Sequence, residues 1–96
     1  GVRLSGFGHA GDGNLHVYVL RDDFAPETYA RKLNEAFDLL YAKARALGGQ
    51  VSGEHGIGFA KKAFLAESLG EVSISLLRSI KRAFDPNGIL NPGKVC

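Results

Sequence analysis

The stretch "VRLSGFGHAGDGNLHVYVL", Val2–Leu20, decides how the chain begins to fold. Gly8, Gly11 and Gly13, with Asp12 and Asn14 among them, are residue types that accept turn conformations cheaply. On either side lie segments rich in β-branched and aromatic residues, so the "DG" between them signals a β-hairpin. A two-residue type I′ turn at Asp12-Gly13 pairs Gly11 with Asn14, Ala10 with Leu15 and His9 with His16. The two histidines are then expected directly opposite each other on one face, with Cβ atoms about 4.5–5.5 Å apart. Two imidazoles so placed can reach one ion at about 2.0–2.1 Å. A cross-strand histidine pair on a solvated surface is the alternative, and the turn itself needs no ligand.

Working outward, Tyr29, Leu33, Ala36, Phe37, Leu40, Ala44 and Leu47 recur at spacings of three and four, which predicts an amphipathic helix. Pro26 suits its first turn and Gly48-Gly49 its end. "QVSGEHGIG" follows, read as a short third strand broken by Gly53, Gly56 and Gly58, with glycines that let another group approach the backbone. Ala60 to Ser68 suits a short helix. Val72, Leu76, Leu77, Ile80, Ala83 and Phe84 form a second apolar stripe, expected in the core and ending before Asp85-Pro86. The tail "DPNGILNPGKV" is a series of turns. Strand, strand, helix, strand, helix, helix gives an α+β architecture, helices packed on one face of a small antiparallel sheet.

The chain has 96 residues, 45% of them hydrophobic and 23% charged, with a formal charge of +2, an ordinary globular composition. Twelve Lys and Arg are dispersed among ten acids, so no basic run marks a nucleic-acid partner. No apolar run approaches the length of a membrane span. The single cysteine, Cys96, suits a reducing compartment, and a cytoplasmic location is expected. A start at Gly1 and the absence of methionine read as a piece of a longer chain.

Glu54 and His55 are adjacent, and an extended backbone would send their side chains to opposite faces. His9, His16 and Glu54 make a two-histidine, one-carboxylate set of the kind that leaves coordination positions open at a catalytic ion, for which Zn, Mn and Fe are all suitable. Read from chemistry alone, an exposed loop acid and a histidine with ordinary partners stand beside that reading.

"GFGHAGDGNLH", "GGQVSGEHGIG" and "AFDPNGILNPGK", in this order, resemble the C-terminal portion of the FAD-linked oxidase family, which includes glycolate oxidase flavoprotein subunits, D-lactate dehydrogenases and D-2-hydroxyglutarate dehydrogenases. The resemblance covers nearly the whole chain. It implies an N-terminal FAD-binding domain outside these residues and a ferredoxin-like cap, of which residues 1–84 would be the second half and residues 85–96 the tail returning toward the flavin. It further implies a divalent metal on His9, His16 and Glu54, His55 as general base, and Asn14 and Asn91 on the flavin or substrate side. The implied reaction oxidises a small D-2-hydroxy acid to the 2-oxo acid, with FAD as cofactor and the chain alone inactive. The protein's own FAD domain and the acid are the implied partners, with association between copies also open. Many members carry a small polar residue where this chain has Tyr18, which bears on substrate identity. The residues that clamp the substrate carboxylate would lie upstream of Gly1. Two rival readings differ in class: a hydrolase whose metal activates water, which leaves the second and third motifs unexplained, and a non-catalytic ferredoxin-like dimerisation module.

Overall fold

A computed structural model describes residues 1–96. Strand β1 (Leu4–His9), a 3₁₀ turn (Ala10–Asp12), strand β2 (Asn14–Val19), helix α1 (Pro26–Ala46) and helix α2 (Lys62–Phe84) follow one another, an α+β chain. Two compact units divide between Leu47 and Gly48.

In the first unit the hairpin forms, but in a different register from the one that Asp12-Gly13 alone predicts. β1 and β2 are antiparallel with His9 opposite Asn14, Gly8 opposite Leu15 and Phe7 opposite His16. The reason is the turn. Ala10–Asp12 coil as a 3₁₀ segment, Gly13 closes it in the left-handed region (φ 63°), and its N–H donates to the Ala10 carbonyl at 3.3 Å. Four residues therefore separate the strands, the hairpin type built around a helical turn. Since the registers differ by two positions and side chains alternate with period two, His9 and His16 still share a face, now as diagonal neighbours. Gly8 is required for another reason: a Cβ there would run into the Asn14 backbone carbonyl.

The open end of the hairpin is tied by Leu20 N–H to the Arg3 carbonyl (2.9 Å) and by the Arg3 guanidinium on the Asp22 carboxylate, with Nε at 2.9 and 3.0 Å from its oxygens. That hydrogen-bonded guanidinium holds the Asp22 carboxyl below its ordinary value. In α1, Pro26 occupies the first turn and Gly48 follows the last turn at φ 77°, as the sequence predicts. Tyr29, Leu33, Ala36, Phe37, Leu40 and Ala44 are half-buried along one stripe, whereas Leu47, just past the helix, is exposed. The Tyr29 hydroxyl donates to the Val19 carbonyl at 2.8 Å, joining α1 to β2 beside the buried Val19 side chain.

In the second unit, residues 50–58 form no strand. Gly56 and Gly58 sit at φ 72° and 56°, conformations outside any β-ladder, and each would meet open space with a Cβ. Backbone handedness, and not close approach by another part of this chain, explains both glycines. α2 runs through Gly70 at φ 75°, ψ 169°, a break between the two helical segments the sequence separates. Leu65 and Ile74 are buried, but Val72, Leu76, Ile80 and Phe84, spaced four apart, are exposed, so the second stripe is not core within these 96 residues. Asp85 stops α2 and organises the tail: buried, it accepts the N–H groups of Ile89 (3.0 Å) and Leu90 (2.8 Å).

Candidate functional site

The shared face of the hairpin carries Phe7 and His9 on β1, and Asn14, His16 and Tyr18 on β2. Phe7 lies opposite His16 and stacks on it, ring centroids 5.3 Å apart at 29°, and also on Tyr18 at 5.5 Å and 18°. The stack sets the plane of the His16 ring. His9 meets that ring edge-on, with centroids 5.8 Å apart and planes at 77°.

Between the two imidazoles sits the Asn14 carboxamide. Its Nδ2 is 3.2 Å from His9 Nδ1 and 3.4 Å from His16 Nε2. A nitrogen of each ring lies within 4.8 Å of the other. Neutral imidazole is a common ligand, and two rings this close are able to hold a divalent cation provided the Asn14 amide between them moves aside. The diagonal register keeps the two rings on one face, though not directly opposite as the sequence predicts, with an asparagine between them.

In the second unit, Glu54 and His55 do not diverge as an extended backbone would require. The segment bends, and a Glu54 carboxylate oxygen lies 3.9 Å from His55 Nε2. Both side chains are well exposed. Asn91 lies in the tail at φ 46°. Its carbonyl accepts from the Lys94 N–H (3.3 Å) and from Lys81 Nζ (3.4 Å), and the same lysine donates to the Lys94 carbonyl at 2.6 Å. Lys81 on α2 thus fixes the "NPGK" turn, a role that the helical stripe of apolar residues does not signal. Asp85 is the other residue whose role the sequence pattern conceals, since an Asp before Pro reads simply as a helix stop.

The family of FAD linked oxidases, C-terminal domain, matches residues 1–95. The chain belongs to that family. A D-lactate dehydrogenase of Anaerostipes hadrus is 50% identical over 94 residues, covering 98% of this chain and 20% of the relative. The glycolate oxidase subunit GlcD of Bacillus subtilis is 40% identical over 94 residues, 98% of this chain and 20% of the relative. A D-2-hydroxyglutarate dehydrogenase of Stutzerimonas stutzeri is 37% identical over 90 residues, 93% of this chain and 19% of the relative. This FAD-linked oxidase domain therefore spans about a fifth of the length of the curated relatives it matches. No helix in it is long and apolar enough to cross a membrane.

Proposed function

We propose that this domain is the substrate-side C-terminal part of a cytoplasmic FAD-dependent dehydrogenase that oxidises a small D-2-hydroxy acid, of the glycolate, D-lactate or D-2-hydroxyglutarate type, to the 2-oxo acid. The observation that carries the reading is the His9–Asn14–His16 cluster, in a chain whose relatives bear those three enzyme names. His9 and His16 hold a divalent cation together with Glu54, and FAD is held mainly by an N-terminal domain. When bound, the cation supplies a Lewis acid toward the hydroxyl and carboxylate oxygens of the acid, and the flavin accepts the two electrons.

The residues of this chain do the remaining work. His55 takes the proton of the substrate hydroxyl, imidazole being a common general base. Glu54, adjacent in sequence, commits its carboxylate to the cation while the His55 ring faces the acid. Asn14 and Asn91 face the flavin or substrate side. The exposed stripe Val72, Leu76, Ile80 and Phe84 is covered by the remainder of the longer protein, since uncovered apolar rows of this length are uncommon on a soluble surface.

The test is dye reduction by the full-length protein with glycolate, D-lactate and D-2-hydroxyglutarate, alongside the 96-residue chain alone. Turnover of at least one acid by the full-length protein, none by the chain, and loss on chelation with recovery on adding Zn, Mn or Fe are expected. Full turnover by a protein shown to be metal-free would overturn the metal assignment.

A further inference from the structure

We infer that Lys81 is a positioning residue for the Glu54–His55 segment, acting through the peptide group between Lys94 and Val95. That peptide is held at both ends. Its carbonyl oxygen accepts from Lys81 Nζ at 2.6 Å, while its N–H, on Val95, donates to the Gly58 carbonyl at 2.7 Å. The other acceptor of the Lys81 ammonium is the Asn91 carbonyl at 3.4 Å, so both of these bonds from α2 serve the tail turn. A cation on the carbonyl polarises the whole amide, which makes the same peptide's N–H the better donor toward Gly58. One lysine on α2 thus sets the direction in which the tail grips the segment before α2.

Val95 shows that this orientation is imposed. It is β-branched yet sits at φ 68°, a region such residues enter at steric cost, in a three-residue turn closed by the Cys96 N–H on the Lys94 carbonyl at 2.8 Å. Strain of that kind persists where surrounding contacts over-determine it, and here those contacts are Lys81 and Gly58. The segment they hold has little order of its own. Residues 50–58 form no strand, and Gly56 and Gly58 are left-handed with open space beside them. At its start, Lys61 Nζ donates to Ser52 Oγ at 3.4 Å; at its end, the tail adds a second contact, with Lys94 Nζ 5.4 Å from the centroid of the Phe59 ring. Glu54 and His55 lie between these anchors, so their placement follows that of the tail.

The inference rests on the proposed role of His55 for its consequence in catalysis, and the experiment separates the two. Full-length protein is compared as wild type, Lys81→Met, Lys81→Arg and Val95→Pro by hydrogen exchange with mass spectrometry, on peptides covering residues 52–60, 91–96 and α1. Lys81→Met should speed exchange over residues 52–60 and 91–96 at least about tenfold and leave α1 unchanged, because a local anchor and not the fold is lost. Lys81→Arg keeps a charged donor and should recover most of the protection. Val95→Pro removes the N–H from the other end of the same peptide and should reproduce the loss even if Lys81→Met fails to fold. Exchange over residues 52–60 within about twofold of wild type in the variants that fold, or equal acceleration in α1, would overturn the inference. Stopped-flow flavin reduction then closes a double-mutant cycle with His55→Asn. Lys81→Met should slow reduction about 10–100-fold alone, as a misplacement of about 1 Å can, but by no more than about twofold once His55 is already replaced. An equal slowing in both backgrounds would overturn the action through His55. Faster exchange over residues 52–60 in Lys81→Met, with near-normal reduction by His55→Asn itself, would uphold the positioning and overturn the base reading alone.

Discussion

Two glycine-rich segments of similar composition, residues 8–16 and 48–58, fold in opposite ways. The first is the tip of a hairpin, and its glycines serve it differently. Gly8 makes room for the Asn14 carbonyl, Gly13 supplies a left-handed residue, and Gly11 lies in the 3₁₀ turn facing open space. The second has no partner strand, and Gly56 and Gly58 are left-handed in an irregular path that brings Glu54 and His55 together. Composition does not separate them. The difference is set by flanks: β-branched and aromatic residues on both sides of the first segment, a helix end before the second and a helix start after it.

Single methyl groups added to these glycines should distinguish the two segments in a graded way. Gly8→Ala should have the largest effect, because the added Cβ meets backbone that cannot step aside; about 1–3 kcal/mol or more of stability is expected to be lost. Urea unfolding measures it, and the His9–His16 pair should lose alignment with it. Gly13→Ala and Gly56→Ala each place a side chain at positive φ and should cost about 1–2 kcal/mol, similar in the two segments despite their different folds. Unequal costs would show that one segment relaxes into another conformation. Gly11→Ala should be neutral or stabilising by about 0.4–1 kcal/mol, since it restricts only the unfolded chain.

The smallest effect belongs to the tie at the open end of the hairpin. Asp22 is held below its ordinary pKa by the hydrogen bond from Arg3, so its contribution is present above the unfolded carboxylate value and is lost as pH falls through the lowered folded value. Asp22→Asn should therefore be slightly less stable than wild type at neutral pH, and the gap should close in acid. A gap independent of pH would place the effect of Asp22 in its backbone at φ 48° instead of its charge.

Much of the first unit is legible in the sequence because its signals are local. The extended flanks, the glycines of the turn, Pro26 and the helical stripe of α1 each predict what forms. The register is not legible, because "DG" suits both a two-residue turn and the end of a longer 3₁₀ turn; the longer turn forms, and Gly8 then lies where any Cβ would meet the Asn14 carbonyl. The placement of the histidines on one face survives, since a shift of two positions preserves alternation. In the second unit local signals mislead. Spacing suggests a third strand over residues 50–58, but left-handed glycines exclude it. The stripe from Val72 to Phe84 belongs to no core within these residues, because periodicity reveals an apolar face without revealing what covers it. The roles of Asn14 between the rings and of Asp85 in the tail are hidden for a related reason: each acts by hydrogen bonds whose partners are fixed only once the turns around them form.

In the proposed mechanism two neighbours divide the labour, Glu54 holding the cation with His9 and His16 while His55 moves the proton. Stopped-flow flavin reduction and metal analysis of the full-length protein, compared with its His55→Asn variant, test this division most directly. Unchanged metal and flavin content is expected, with reduction slowed about 10²–10⁴-fold, the usual contribution of a positioned base. A variant that loses its metal yet reduces flavin at a near-normal rate would contradict it, making His55 a ligand and placing the base elsewhere.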